Sequence, residues 1–310
     1  MLLQLEGATI FGLATGGIFS LAALGMVLVY RVTGVLNFAH GAMGMFSTFV
    51  AWSVIYEWHP LAASGAEAAT QWPSILLAVA CALLFAVVLG FVVENVIFRW
   101  LRGRPQVTKA VVTVGILLVL QAAASLRFGS TQYHDAIHFP GFAGVVHVTR
   151  DLAVSYDQIL VIVVALALAL GMAAFLRFSR FGKAMRAVSD DPVAARLWGI
   201  RVNVVGSVSW IVGSLIAAIA GILITPFINF DTVSLTVLII DALAAALIGG
   251  LTSLPLTVLG GFVLGLMESY PKIWIQSPGF SKVVAIAVIL AVLLLRTDRN
   301  LLRVGATDDG

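Results

Sequence analysis

The chain has 310 residues, of which 61% are hydrophobic and only 11% are charged. This composition excludes a soluble globular protein, which could not bury so much apolar surface. The formal net charge of +3 does not indicate nucleic-acid binding, because the basic residues lie in loops on one side of the apolar segments. Long apolar runs separated by polar breaks predict an all-α, polytopic transmembrane bundle rather than a β-barrel.

Nine apolar segments predict about nine transmembrane helices, within a range of eight to ten, in one domain covering residues 1–310. About 20 apolar residues in a helix span a bilayer. The segments are Phe11–Tyr30, Val35–Tyr56, Ser74–Phe98, Ala110–Leu126, Asp157–Phe178, Asn203–Phe227, Ser234–Gly250, Pro255–Tyr270 and Lys282–Leu295. The two short segments, 234–250 and 255–270, fit either two crossings or a re-entrant pair. Two crossings are favoured because they leave the basic tail on the same side as the other basic loops.

The basic residues predict how the chain lies in the membrane. Of its 18 Lys and Arg residues, one side of the predicted helices carries only Arg127, Arg150, Lys272 and Lys282. Positively charged loops face the cytoplasm. We therefore expect a bacterial plasma-membrane protein with its N-terminus outside and its C-terminus in the cytoplasm. The N-terminal stretch MLLQLEGATI lacks a basic region and does not predict a cleaved signal peptide.

A short internal similarity suggests two inverted halves. The stretch Gly17–Gly25 resembles Gly213–Gly221, which would place helices one to four and six to nine in halves of opposite orientation around helix five. Inverted halves that meet at mid-membrane are common among transporters. Glycine and alanine patterns also recur in closely packed helices, as in the pair Gly12 and Gly16, so close packing is the other interpretation.

The sequence contains no catalytic or nucleotide-binding motif. It has no phosphate-binding loop and no His-Glu-x-x-His, so the chain itself is predicted to be no enzyme and to bind no cofactor. Cys81 is its single cysteine. Three histidines in the loop 128–156 are too widely spaced to predict a metal site. They are His134, His138 and His147.

Polar residues inside apolar segments are candidates for a solute path, because each is costly in hydrocarbon. Asp241 lies within the seventh segment and has no cation close in sequence. It can face a water-filled path, pair with another subunit or be protonated. Glu268, in contrast, has Lys272 four residues later, at a helical pairing distance.

Four further residues are candidates for the path, each with a structural alternative. Asn37 and His40 open the second segment, either as a helix cap and a packing hydrogen bond or as a gate near the cytoplasmic mouth. Gly249 and Gly250 end the seventh segment, where they allow either close packing or an unwound backbone with exposed carbonyls.

The basic loop Phe178–Arg201 is the longest polar, basic interruption of the chain. It is expected to form short amphipathic helices. Asp190 or Asp191 can cap one of them, with Pro192 in its first turn. Leu197 and Trp198 then present an apolar surface for a partner protein; a helix lying on the membrane surface is the alternative.

Three stretches resemble the permease subunits of branched-chain amino acid ABC importers, and their order covers nearly the whole chain. They are GVLNFAHG at 34–41, GKAMRAVSDDPVAARLWGI at 182–200 and AALIGGLTSLPLTVLGG at 245–261. Permeases of ABC importers dock short cytoplasmic helices into clefts of the ATPase, often through Glu-Ala-Ala-x-x-x-Gly. Here Val193 replaces the glutamate of that signature.

The resemblance implies a permease subunit of an ATP-driven importer. Its implied partners are a second homologous permease, identical or different, two ABC ATPase subunits that carry ATP and magnesium, an external solute-binding protein and the bilayer. The implied docking residues are Gly182, Lys183, Arg186, Ala194, Ala195, Leu197, Trp198 and Gly199.

The implied solute is a branched-chain amino acid or a related small polar molecule. Its identity stays open, because Asp241 is not expected in this family and Thr252–Ser253 replace a pair that is often smaller. The alternative function is a stand-alone, ion-coupled secondary transporter in which Asp241 carries the proton. A membrane-embedded enzyme would need a catalytic cluster, and a scaffold would explain neither the polar residues nor the glycines.

Overall fold

A computed structural model describes residues 2–58, 72–101, 103–129, 135–139, 144–147, 153–228, 231–275 and 279–304. Within these ranges the chain forms eleven α-helices, which confirms the predicted all-α class. They are α1 (Leu2–Thr33), α2 (His40–Ser53), α3 (Trp72–Val92), α4 (Gln106–Phe128), α5 (Tyr156–Phe178), α6 (Arg180–Asp190), α7 (Pro192–Leu197), α8 (Val202–Ile224), α9 (Thr232–Ile248), α10 (Leu254–Ser269) and α11 (Phe280–Val304).

Shorter elements extend or join these helices. The π-helical turns Val54–Trp58 and Val93–Phe98 continue α2 and α3, and the 3₁₀ turns Thr225–Phe227 and Tyr270–Ile273 follow α8 and α10. The strands β1 (Val145–His147) and β2 (Ala153–Ser155) pair antiparallel in the loop before α5. His134, Arg150 and most of the loop between α2 and α3 lie outside the described residues.

By length and composition, five stretches of the described chain are long and apolar enough to cross a membrane. They are Gln4–Thr33, Trp72–Phe98, Gln106–Phe128, Tyr156–Phe178 and Val202–Phe227. The count of nine crossings, which includes shorter helices, stays a prediction.

Helix α1 lies inside the bundle. Of its most apolar stretch 89% is buried, against 11% in α4. Glycines bring its backbone against α10: a Cβ on Gly12 would lie 3.0 Å from the carbonyl oxygen of Gly265, and one on Gly16 would lie 2.8 Å from Cα of Phe262. The close approach predicted for this glycine pair is therefore present, and its partner is α10.

Helices α9 and α10 form a tight hairpin from the two short apolar segments. Gly250, in the left-handed region with φ +73°, ends α9, and the N–H of Leu251 donates to the carbonyl of Ala246 at 2.9 Å. The chain then folds back, so that a Cβ on Gly260 would lie 2.8 Å from the carbonyl oxygen of Ala245. The two helices thus run antiparallel in close contact.

We predict that Gly261→Ala separates α1 from α10, because the new Cβ would lie 2.5 Å from the backbone nitrogen of Ser20. Overpacking of this kind costs about 1–3 kcal/mol, so the purified chain should unfold at a lower temperature. Gly115→Ala in α4 is the matched control, since it gains the same helix propensity and nothing lies within 4 Å of that position. Equal unfolding temperatures, measured by size-exclusion chromatography after heating, would contradict the packing.

Candidate functional site

A cavity of about 610 Å³ lies among α1, the end of α8, α9, α10 and α11, on the side predicted to be external; we call it the outer cavity. Two carboxylates and two lysines line it, Asp241 and Glu268 with Lys272 and Lys282. Its apolar wall includes Phe11, Phe19, Ile224, Phe227, Val237 and Leu238. A concave apolar space of this size with a few convergent polar groups is typical of small-molecule sites.

Asp241 is deeply buried in the wall of the outer cavity and is only 1% exposed. The ammonium group of Lys282 donates a hydrogen bond to its Oδ2 and forms an ion pair with it. Lys282 stands 41 residues later, at the start of α11. The cation that the local sequence of Asp241 lacks is therefore supplied within the same chain, and the pair joins α9 to α11.

Glu268 is only 4% exposed and lines the outer cavity together with Asp241. Asp241 Oδ1 and Glu268 Oε1 accept no hydrogen bond from a donor in the described part of the chain. The ammonium of Lys272 lies 5.3 Å from the ring centroid of Phe11, a cation–π distance. Sequence spacing indicated only the proximity of Glu268 and Lys272, not the convergence of four charges.

The segment between α1 and α2 is partly buried and not helical. Gly34, with φ +69°, ends the α1 helical path, and α2 begins at His40 rather than at Val35 as predicted. The hydroxyl of Thr113 in α4 is a hydrogen-bond partner for the backbone of this segment, since it accepts the N–H of Phe38 at 3.2 Å. The same hydroxyl lies 3.1 Å from the Leu36 carbonyl oxygen. The predicted start of α2 was wrong because the N–H of Phe38 bonds to the side chain of Thr113, 75 residues later in the chain, instead of to a carbonyl of a helical turn.

Asn37 and His40 lie at this buried helix start. The side-chain oxygen of Asn37 accepts the N–H of Ala39 at 3.1 Å, ahead of the first turn of α2. The ring of His40 packs against Gly25. It faces the Ala22 carbonyl, yet neither ring nitrogen makes a hydrogen bond of ordinary geometry to a described residue. The adjoining cavity measures about 10 Å³, room for one water at most, so a gating role of His40 requires the helices to separate.

Gly249 and Gly250 lie in the turn that joins α9 to α10 and do not line the outer cavity. A Cβ on Gly249 would lie 2.5 Å from the backbone nitrogen of Thr257. Gly249 therefore packs closely against the start of α10, while Gly250 takes the left-handed conformation at the end of α9.

The basic loop folds into α6 and α7, as predicted. The Ser179 hydroxyl caps α6 by accepting the N–H of Gly182 at 2.8 Å. The buried residues of α6 are Gly182, Met185 and Val188. Its exposed residues include the docking candidates Lys183 and Arg186.

Helix α7 is short but has defined ends. Asp191 Oδ1 accepts the N–H groups of Val193 at 2.8 Å and Ala194 at 3.0 Å, which confirms the predicted cap. Gly199, with φ +79°, ends the helix, and the N–H of Ile200 donates to the carbonyl of Ala195 at 3.0 Å. These contacts fix the orientation of a helix of only six residues.

Four apolar side chains project from α6 and α7, and we call them the α6–α7 surface. They are Phe181, Val193, Leu197 and Trp198. Leu197 is 85% exposed and Trp198 is 86% exposed, while Ala195 is buried against the bundle. Exposed apolar groups beside basic ones indicate a binding surface, either for a protein or for the membrane interface.

Comparison with known proteins gives one family. The family model described as branched-chain amino acid transport system / permease component matches residues 8–293. The chain is 31% identical over 293 residues to the high-affinity branched-chain amino acid transport system permease protein BraD of Pseudomonas aeruginosa, which covers 92% of each chain. It is 29% identical over 292 residues to LivH of Escherichia coli K12, covering 92% of this chain and 91% of LivH.

A more distant similarity extends to an archaeal protein. The chain is 27% identical over 315 residues to a probable branched-chain amino acid transport permease protein LivH of Methanocaldococcus jannaschii, covering 94% of this chain and 89% of that protein. No solved structure matches the chain.

We predict that Thr113→Val destabilises the buried start of α2, because the N–H of Phe38 loses its acceptor. An unsatisfied buried donor costs about 1–3 kcal/mol, so the unfolding temperature should fall. Thr236→Val is the matched control, since that buried hydroxyl donates within α9, to the Thr232 carbonyl. A loss of stability no larger in Thr113→Val than in Thr236→Val would show that Thr113 does not support the segment.

Proposed function

Because the chain belongs to the branched-chain amino acid transport system permease family, we propose that it forms part of the membrane path of an ATP-driven importer. It is a permease subunit, not an enzyme. Its proposed partners are a second homologous permease, two ABC ATPase subunits that hydrolyse ATP with magnesium, and an external solute-binding protein. The observation that carries this proposal is the α6–α7 surface.

The α6–α7 surface suits a protein partner better than a membrane. Trp198 and Leu197 stand on a helix whose ends are fixed by Asp191 and Gly199, so their exposure is built into the backbone. A rigid, pre-ordered apolar knob loses little entropy when it enters a cleft. Val193, where a glutamate often stands in this family, adds apolar area. We therefore expect docking by shape and apolar contact rather than by a salt bridge at that position.

The position of α6 and α7 in the chain allows them to transmit motion. Ser179 alone separates α5 from α6, and residues 198–201 join α7 to α8. A cavity of about 440 Å³ lies between α6–α7 and the neighbouring ends of α1 and α4, which leaves space for displacement. Closure of the ATPases on ATP would then shift α8 relative to α1, the change that opens the path.

The proposed solute is a branched-chain amino acid or a related small polar molecule. The names of BraD and LivH support this solute class for the relatives. In this chain the outer cavity has the size of a small-molecule site. It lies on the side that the basic loops predict to be external, where a binding protein would deliver its cargo.

We predict that Trp198→Glu removes the ATPases from the complex. A charge in an apolar cleft is desolvated without a partner and costs binding free energy, so the tagged variant should co-purify with little ATPase. Trp100→Glu is the matched control, because Trp100 is 83% exposed and lies in another loop of the same predicted side. Mass spectrometry of the gently solubilised complexes measures the difference.

Two outcomes of that co-purification would contradict the proposed function. One is the recovery of equal amounts of ATPase with both variants, which would reject the α6–α7 surface. The other is a wild-type chain recovered alone that still moves solute in vesicles without ATP, which would favour the ion-coupled alternative with Asp241.

Labelling of single cysteines tests the proposed orientation. In a Cys81→Ser background, Val145→Cys in the loop before α5 should react with a membrane-impermeant maleimide in intact spheroplasts. Arg104→Cys, between α3 and α4, should react only after the membrane is broken, because basic loops face the cytoplasm. Both positions are exposed, so reactivity reports sidedness. The reverse pattern would place the N-terminus in the cytoplasm.

A further inference from the structure

We propose that a second cavity, on the side predicted to be cytoplasmic, binds a phosphate group. The cavity measures about 440 Å³ and lies where the end of α1 and the starts of α4 and α8 meet α6 and α7; we call it the inner cavity. The phosphate group belongs either to the headgroup of an anionic phospholipid or to a soluble phosphate compound.

Three cationic side chains from three different helices line the inner cavity. They are Arg31 at the end of α1, Lys109 near the start of α4 and Arg196 in α7. None of the three forms an ion pair with a carboxylate in the part of the chain that the structure describes. Glu94 is the one carboxylate among the described residues of the lining, so the cations exceed the carboxylates by two. Cations gathered around one cavity repel each other, and an anion between them offsets that repulsion.

The carboxylates near the inner cavity have other positions or partners. Glu94 is only 6% exposed and lies against α8, where its Oε1 would be 3.2 Å from a Cβ placed on Gly206. Asp191 caps α7 and is not in the lining. The three cations, in contrast, are all partly or fully exposed. A ligand that enters the cavity can therefore reach them.

Neutral groups of the lining add further hydrogen-bond donors. Helices α4 and α8 begin at the inner cavity, with Gln106 and Val202 in its lining. The start of a helix carries free N–H groups and a partial positive charge, which favour a bound phosphate. The side chains of Gln106, Asn203 and Ser189 also line the cavity. Amide and hydroxyl donors can bind the oxygens that the cations leave free.

The location of the inner cavity suits a lipid headgroup. Helices α1 and α4 are apolar enough to cross a membrane, and the cavity lies at the ends predicted to reach the cytoplasmic surface. Val32, Val35 and Phe98 line it beside the cations, so an apolar wall is available to the glycerol part of a lipid. Basic pockets between helices on the cytoplasmic side bind anionic headgroups.

Arginine is well suited to bind a phosphate group, because its planar guanidinium can donate two parallel hydrogen bonds to it. The inner cavity has two arginines, Arg31 and Arg196, on helices that face each other across it. A phosphate group between them can accept hydrogen bonds from both. Lys109 then adds a third cation from α4.

An acidic surface of an ATPase is the competing partner of these cations, because the α6–α7 surface is proposed to dock there. The geometry favours a small anion. Leu197 and Trp198 project from α7 and are 85% and 86% exposed, whereas Arg31 and Lys109 stand on other helices and are only partly exposed. An anion inside the cavity can contact cations on three helices at once. A protein surface outside it would first meet Arg196.

A bound phosphate group would join α7 to α1 and α4. Because a ligand that binds only the folded chain stabilises it, binding should raise the unfolding temperature. The ligand would also fill the space into which α6 and α7 could move and so restrain their motion. This effect on transport rests on the proposed function, whereas the binding itself does not.

The experiment uses the full-length chain with the partners that co-purify, washed free of native lipid in detergent. One arm adds phosphatidylglycerol, or phosphatidylcholine as the neutral comparison, and counts the retained lipid by native mass spectrometry. The other arm measures binding of labelled inorganic phosphate to the same complex in nanodiscs of phosphatidylcholine. Arg31→Gln/Lys109→Gln should bind the ligand of one arm about tenfold or more less well than wild type. That ligand should no longer raise its unfolding temperature.

The matched control is Arg99→Gln/Arg104→Gln. Both arginines are exposed, lie between α3 and α4 on the same predicted side, and do not line the inner cavity. The control therefore loses the same charge and should bind as wild type does. Arg196→Gln is a second cavity variant at an exposed position, where the change should not disturb folding. It should also weaken binding.

The two arms distinguish the source of the phosphate group. Loss of phosphatidylglycerol in the cavity variants alone would assign the site to a lipid headgroup. Loss of inorganic phosphate in them alone would assign it to a soluble phosphate compound.

Three outcomes would overturn the proposal. The first is that wild type binds neither ligand, or that the cavity variants bind both as wild type does. The second is an equal loss in the cavity variants and the control, which would show attraction by surface charge alone. The third is unchanged binding of both ligands with less co-purified ATPase, which would assign the cations to the ATPase interface.

The site and the importer can fail separately. A phosphate ligand lost in the cavity variants, in a chain that recruits no ATPase, would support the site and overturn the importer. ATP-driven uptake by a wild-type complex that binds neither ligand would overturn the site and leave the importer intact.

Discussion

The contact of α1 with α8 and α10, made backbone to backbone at glycines, is the constraint on which the other helices depend. Lipid is as apolar as the side chains of these helices, so burial from water adds little to their association. Close van der Waals contact must therefore supply the free energy that holds the helices together. At Gly213, for example, a Cβ would lie 3.1 Å from the carbonyl oxygen of Gly25. Because α1 is packed closely against helices on two sides, its position is fixed. Its first half lines the outer cavity, and its last turns lie against α6.

The polar groups of the bundle follow a second constraint, that every buried donor and acceptor needs a partner in hydrocarbon. Backbone groups of the unwound segment find one in Thr113 of α4. The charges of the outer cavity find partners in one another, except for two carboxylate oxygens. The first arrangement is complete and the second is not. Two buried acceptors of the second arrangement therefore lack a donor among the described residues.

The sequence predicted the features that local chemistry determines. The Asp191 cap and the exposure of Trp198 follow from neighbours within a few residues, and the family resemblance implied a docking role for Trp198. The sequence did not predict that α2 starts at His40 or that Lys282 pairs with Asp241. Both depend on residues 75 and 41 positions away on other helices, which periodicity and spacing cannot place in contact. Gly249 and Gly250, which were path candidates, lie in the turn between α9 and α10 and outside the lining of the outer cavity.

The outer cavity and the α6–α7 surface lie at opposite ends of the same two helices, and this gives a physical route between them. Four residues separate α7 from α8, and α8 ends at the wall of the outer cavity, where Ile224 and Phe227 lie. Helix α1 runs the other way, from Phe11 in that wall to Arg31 beside α6. The two helices approach each other backbone to backbone at Gly25 and Gly213, so a displacement of one helix there acts directly on the other. Under the proposed function, a shift imposed on α7 would reach the outer cavity as a movement of its wall relative to Asp241, which is held by α9 and α11.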